Sequence, residues 1–235
     1  MAFEDRVLFE ELDLELPGGL TTCLLGPSGV GKTSLLRLIA GLAHGAKGSV
    51  ADHRATPIAG RIAYMAQQDL LLPWCSVLDN VLLGARLRGE ATTGALEARA
   101  RELLARVRLA NSALARPAQL SGGMRQRAAL ARTLMEQRPI VLMDEPFSAL
   151  DAITRYEIQA LAARLLAGRT VLLVTHDPLE ALRLGHRVHV MAGRPARLDA
   201  ALEPPGEPPR DPADPALLTH QAELLKRLAQ AREAP

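Results

Sequence analysis

The chain has 235 residues, 48% of them hydrophobic but only 3% aromatic, and a formal net charge of +2. That length holds one large domain, or a domain with an inserted subdomain, around an aliphatic core. A near-neutral balance built on scattered arginines excludes the basic footprint of a nucleic-acid binder, and no run approaches the roughly 18 apolar residues that mark a membrane span.

The N-terminus, Met1 to Arg6, carries no apolar signal region. Val7, Phe9, Leu12, Leu14 and Leu16 alternate, Pro17-Gly18-Gly19 breaks the run, and Leu20 to Leu25 follows as an apolar stretch. The pattern predicts strands joined by a turn. Cys23 in that stretch reads as a small buried apolar residue. With Cys75 it forms no metal-type spacing, and a disulfide framework is not expected, which favours a reducing compartment.

Next come Gly26, Pro27, Ser28, Gly29, Val30, Gly31, Lys32 and Thr33, a complete G-x-x-x-x-G-K-[ST] phosphate loop, with Ser34 opening a helix expected to run to Leu42 and to end at Gly41 and Gly45. Strand, loop and helix in that order are the context the motif needs. Its glycines let backbone N–H groups turn inward on phosphate oxygens, and the helix start adds its positive end. Lys32 can reach the β- and γ-phosphates, and the Thr33 hydroxyl can hold Mg2+. The competing reading is a Gly-rich turn before an ordinary helix. It leaves every filled position unexplained.

Ser49 to Pro57 is weakly patterned, and Arg61 to Met65 is a short strand leading to Gln67-Gln68. From Asp79 to Ala115 the character becomes helical, with Leu96, Ala100, Leu103, Leu104 and Val107 on one face. Ser121-Gly122-Gly123 opens another helix, with Ser121 as N-cap. Ile140 to Met143 is an apolar strand ending in Asp144-Glu145, Ala152 to Ala167 is a helix, and Val171 to Thr175 is a strand ending at His176. Strands alternating with helices imply a mostly parallel sheet covered on both faces. Glu203 to Pro215 is Pro-rich and reads as an extended tether. Ala216 to Glu233 reads as an amphipathic helix packed on the domain surface. The expected layout is a core over 1–200 with a helical subdomain over 79–135, a tether over 201–215 and a terminal helix over 216–235.

Two carboxylates at a buried strand end lie where parallel sheets place their ligands. Asp144 is the candidate Mg2+ anchor and Glu145 the candidate group that polarises an attacking water. Leu120-Ser121-Gly122-Gly123-Met124-Arg125-Gln126 offers a second anion-binding helix start. One chain with one nucleotide loop has no internal use for it. Two copies facing each other about a two-fold axis do.

These residues carry a family resemblance. The chain resembles the ATP-binding cassette (ABC) ATPases, a P-loop NTPase fold of class α/β with N-terminal antiparallel strands and an inserted helical subdomain. It matches their Walker A (Gly26 to Thr33), Q-loop (Gln67), signature (Leu120 to Gln126), Walker B (Ile140 to Glu145), D-loop (Ser148 to Asp151) and H-loop (His176) in order, over residues 3–197. The resemblance implies ATP hydrolysis with Mg2+. It implies that Gln67 reaches the metal and the attacking water and links the site to a membrane partner. It implies that His176 contacts the γ-phosphate and steadies Glu145, that Asp151 and Ser121 to Gly123 meet a second copy, and that Phe3 stacks on adenine. The chain departs from the family in having no strand before Phe3, Ala66 where an aromatic is usual, and a short Gly45 to Gly60 segment.

Gln67 to Trp74, Gly193 to Arg197 and the Pro-rich tail are similar to the importer branch serving nitrate, sulfonate, taurine and pyrimidine-precursor solutes. That resemblance implies a peripheral subunit on the cytoplasmic face of the cell membrane. Its partners are a second copy, a separate permease and, indirectly, an extracytoplasmic solute-binding protein, with no nucleic acid. Leu70 to Trp74 is a candidate docking patch. An exporter or lipid-handling cassette, or a non-transport ATPase, are the alternatives.

Overall fold

The structure, a computed structural model, describes residues 2–3, 6–43 and 49–233. The chain divides into two compact units, one of residues 1–62, 139–145 and 167–235, the other of 63–138 and 146–166.

The first unit is built on a sheet. β1 (Ala2–Phe3) and β2 (Arg6–Val7) form a small antiparallel pair. β3 (Thr21–Leu25) leads to α1 (Lys32–Ile39), and β4 (Ile62–Met65) starts beside β5 (Ile140–Asp144), where the Ile140 amide donates to Arg61 O at 3.3 Å. β6 (Thr170–Val174), α6 (Pro178–Leu184), β7 (Arg187–Ala192), β8 (Arg197–Leu198) and α7 (Pro215–Glu233) complete it. The strands run β5-β6-β3-β7-β8, all parallel except the edge strand β8. In β3, β5 and β6 every residue after the first is buried. That is why these segments read as continuous apolar runs: a parallel strand covered on both faces has no polar side. Cys23 is fully buried there, as expected of it. The register pairs Asp144 with Val174 and Val174 with Leu24, so the three strands end in one row. Whatever follows each strand emerges at the same edge.

α1 begins with Gly31 as N-cap and ends earlier than expected. Gly41 takes a positive φ, its amide reaching Leu38 O and the Leu42 amide reaching Arg37 O, a Schellman close. The expected second stop, Gly45, lies outside the described residues.

Residues 8–20 differ from expectation. Leu12, Leu14 and Leu16 are half-buried while Asp13 and Glu15 are exposed, so the alternation is real, but no strand forms. Phe9 alone bridges, to Ala196, and Glu11 at φ 49 turns the chain out of any ladder. Alternating burial needs only a surface to lie on; a strand needs a hydrogen-bonding neighbour.

The Pro-rich stretch is not a tether. Arg210 within it is buried, and its guanidinium is bonded to backbone carbonyls around it and at the end of α6. α7 then lies on α6 and β7, burying Leu217, Leu224 and Ala231 at seven-residue spacing. Arg227 fastens it to Asp199 and to Ala200 O.

The second unit is helical: α2 (Val77–Leu87), α3 (Gly94–Arg106), α4 (Gly122–Met135) and α5 (Ala152–Leu166), with most of β4. It reaches beyond the expected 79–135 because the loop after β4 and α5 belong to it as well. α2 starts in a capping box. The Ser76 hydroxyl accepts from the Asp79 amide, and the Asp79 carboxylate accepts from the Ser76 amide. On α3 the expected face holds: Ala100, Leu103 and Leu104 are buried, with Val107 just past the helix end. Arg127 of α4 donates to Val107 O, tying the two helices.

Candidate nucleotide site

In the first unit the row of strand ends gathers three of the expected groups. β3 delivers the phosphate loop. Gly26 sits at φ 153, and a Cβ there would lie 2.5 Å from Met191 O; at Gly31, φ 114, a Cβ would meet the Phe9 ring at 3.0 Å. Both positions exclude any side chain, one against the backbone of β7 and one against an aromatic floor. Phe9 as that floor was missed by sequence reading, since its apolar alternation pointed only to a strand.

Lys32 is buried and its Nζ donates to Gly26 O at 2.7 Å and Pro27 O at 2.9 Å. An ammonium has three donors, so the loop's own carbonyls aim the third. Burial pulls its pKa below the ordinary lysine value, while the nearby Glu145 and Asp144 charges push it back up.

β5 delivers Asp144 and Glu145. Asp144 is 1% exposed, and the Thr33 hydroxyl is hydrogen-bonded to its carboxyl. Its Oδ2 is buried with no hydrogen-bond partner. Burial raises its pKa above the ordinary aspartate value; the Thr33 bond opposes, Glu145 adds to the rise, and Lys32 opposes it. Glu145 adopts φ 48, a left-handed conformation that costs a non-glycine residue roughly 1–3 kcal/mol. Its amide is held by Val174 O at 2.9 Å. β6 delivers His176, whose Nδ1 lies 3.2 Å from Glu145 Oε2. The His176 ring is largely exposed and the Glu145 carboxyl is not. Directly after it, Asp177 caps α6, its Oδ1 accepting from Leu179 at 2.9 Å and Glu180 at 3.4 Å, with Pro178 in the first helical position.

In the second unit, Gln67 is exposed in the loop after β4. It lines a cavity of about 410 Å³ with Asp69, Leu70, Gly122, Arg125 and Ser148. The loop is held to α4: Asp69 pairs with Arg125 at 3.1 Å, and Arg132 donates to Asp69 O at 2.6 Å and Leu70 O at 2.8 Å. Asn80, fully buried, fixes the same loop further on, accepting from the Leu72 amide and donating to Ser76 O. A lone amide among Val77, Leu78, Val81 and Leu82 was the sequence signal for it, and it was not read. Leu70 stands at φ 46 and 59% exposed, and Trp74 is 70% exposed, whereas Leu71 between them is buried. Ser121 caps α4 as expected, its hydroxyl accepting from Met124 at 3.2 Å, and is itself exposed with Gly122. Gly123 lies close under Ala149 O, and Gln126 donates to Ser148 and accepts from the Ala149 amide. Exposed Asp151 caps α5 through the Thr154 amide. Phe3 is in β1, and the expected adenine contact concerns a side chain outside the described residues.

Comparison with known proteins agrees with this arrangement. The family profile described as ABC transporter matches residues 9–148. The chain is 45% identical to an uncharacterized ABC transporter ATP-binding protein of Haemophilus influenzae, covering 97% of this chain and 95% of that one. It is 45% identical to the aliphatic sulfonates import ATP-binding protein SsuB 1 of Rhodococcus jostii, covering 99% and 91%. Among solved structures, the dimeric post-hydrolysis state of an ATP-binding cassette bound to ADP and Pi superposes with a TM-score of 0.73 at 32% identity, covering 85% of this chain and 91% of that one. The phosphate loop, the carboxylate pair and the capped Ser121 helix thus sit in a chain that belongs to the ABC transporter family, as its ATP-binding, ATP-hydrolysing cassette.

Proposed function

We propose that this chain energises the import of a small solute through a separate permease, as one of two copies joined by ATP at the cytoplasmic face of the cell membrane. The solute is of the nitrate, sulfonate, taurine or pyrimidine-precursor type. The observation that carries the hydrolytic chemistry is the Glu145–His176 pair at the same strand-end row as the phosphate loop. Import, and sulfonate as the leading solute, rest on the relatives named for aliphatic sulfonate import. Among the described residues, no helix is long and apolar enough to cross a membrane.

The phosphate loop amides and Lys32 bind the ATP phosphates. Thr33 and Asp144 suit Mg2+: a hydroxyl beside a carboxylate, with one buried oxygen lacking any partner. When bound, Mg2+ supplies charge neutralisation at the β- and γ-phosphates. Glu145 accepts hydrogen bonding from the attacking water and draws its proton. His176 holds the Glu145 carboxylate and reaches the γ-phosphate. Gln67, exposed in the loop after β4, would report to the permease through that loop. Ser121, Gly122 and Gly123 serve the partner copy's nucleotide, with Asp151 at the seam. ATP favours the closed pair by its higher affinity for that state, and hydrolysis reopens it.

Glu145→Gln tests this reading. It removes the proton acceptor and keeps the shape. The variant is expected to form an ATP-dependent dimer by light scattering with saturating ATP and Mg2+. A variant that stays monomeric there overturns the composite site. Capture of that trapped dimer from native membranes is expected to bring a multi-span permease.

A further inference from the structure

Arg210 lies far from the phosphate loop in sequence and is 6% exposed. Its Nε donates to Pro205 O at 2.7 Å. One terminal nitrogen donates to Leu182 O at 2.8 Å and Gly185 O at 2.7 Å, and the other to Pro204 O at 2.8 Å and Gly206 O at 2.7 Å. All five guanidinium donors are used, each on a main-chain carbonyl. The backbones also join, Arg210 N to Arg183 O at 3.0 Å, and Arg183 Nε returns to Arg210 O at 3.3 Å.

Leu182, Arg183 and Gly185 are the end of α6. A helix C-terminus leaves its last carbonyls without partners and carries partial negative charge. Arg210 answers both, as a C-cap brought from 25 residues downstream of Gly185. α6 has seven residues. A helix that short does not hold itself in water, so it stands by the burial of Glu180 to Leu184 and by its two caps, which set where its ends lie. The other cap is Asp177, the residue after His176. Gly185 is seated hard against β3, since a Cβ there would lie 2.9 Å from Cys23 Sγ. The cap therefore fixes α6 against the strand that delivers the phosphate loop.

His176 needs this. Its ring is largely exposed, so little packing sets its position; its backbone does. That backbone is bracketed by the Thr175 amide on Leu24 O and by the Asp177 amide on Thr175 Oγ1, then runs straight into α6.

We infer that Arg210 is a positioning residue for hydrolysis: by capping α6 from the C-terminal segment it holds His176 against Glu145. The inference rests on the role proposed above for His176. It makes the segment after the sheet a working part of the ATPase rather than a trailing extension.

The test is a cycle of Arg210→Ala, His176→Ala and the double variant, with Arg210→Lys as the conservative change. Turnover at saturating ATP and nucleotide affinity are measured on the full chain. Arg210→Ala is expected to lower kcat by roughly tenfold to 10²-fold, the larger figure being what a misplacement by an ångström can cost, with ATP affinity unchanged. In the His176→Ala background it is expected to add nothing. Arg210→Lys keeps the cation with fewer donors and is expected to fall between; should Arg210→Ala fail to fold, the lysine variant carries the cycle. If the Arg210 effect persists in full without His176, or appears as lost ATP affinity, the inference is overturned. If His176→Ala leaves turnover intact, the role of His176 falls first and Arg210's with it.

Discussion

The strand-end edge of the first unit and the loop-and-helix face of the second hold their groups in opposite ways. At the strand ends, Lys32 and Asp144 are buried, Glu145 is nearly so, and each is tied to its neighbours before any ligand arrives. In the second unit, Gln67, Ser121, Gly122 and Asp151 are exposed, and so are two large apolar side chains of the loop after Gln67, Leu70 and Trp74. A chain that desolvates charges invests in electrostatics that act on a phosphate in a low-dielectric setting. A chain that holds a leucine exposed at a strained φ by bonds to its loop, as Arg132 holds Leu70, keeps an apolar side chain open to a covering partner. On the function proposed above, the first region is the preorganised chemistry and the second the set of contacts offered to other chains.

The sharpest way to break that division is to damage each side and see which property fails. Glu145→Gln is expected to cut turnover by about 10²–10⁴-fold, the range of a lost proton acceptor, with nucleotide affinity retained in a radiolabelled filter assay. Ser121→Arg is expected to reduce hydrolysis by about 10²-fold or more while the isolated chain binds ATP almost normally. Loss of that binding would mean the Ser121 helix serves its own chain's nucleotide, and the division would collapse.

Asp144 sharpens the comparison through pH. Its folded pKa is raised by burial, so the stability it contributes is present at acid pH and is lost as pH rises through the folded value. Asp144→Asn is therefore expected to raise the urea midpoint at neutral pH and to flatten its dependence on pH relative to the parent chain, while abolishing Mg2+-dependent hydrolysis. A midpoint that falls at neutral pH would show the carboxylate to be stabilising.

Smaller effects belong to the second unit. Ser76→Ala removes half of the capping box and is expected to cost about 1 kcal/mol in denaturant unfolding. Trp74→Ala is expected to change stability by less than about 0.5 kcal/mol, leave the isolated chain's turnover intact and abolish permease capture.

How much of this was legible depended on how local the cause was. The phosphate loop, Asp144-Glu145, the Ser121 cap and the Gly41 helix stop follow from residues a few positions apart, and the structure places them where the spacing did. The run from Leu12 to Leu16 has the right alternation but no neighbour to bond to, and no sequence pattern records a missing neighbour. Arg210 is illegible for a related reason. Its partners are main-chain carbonyls, which every residue carries, so nothing in the identities of Leu182 or Gly185 announces the bond. Proline content alone suggested a tether because extended composition and anchored conformation are compatible. Asn80 was within reach, as an amide set in an apolar helical face.

Trp74 is the single tryptophan of the chain, and the phosphate loop contains no aromatic residue. Indole emission from this protein therefore originates at one solvent-facing point on the loop that follows Gln67. Covering that point shifts its emission to shorter wavelength and protects it from a dissolved quencher such as iodide. The unlabelled protein thus carries its own optical gauge for whatever docks on this face. A titration can be followed on the native side chain, with the Leu70 neighbour varied and no dye attached.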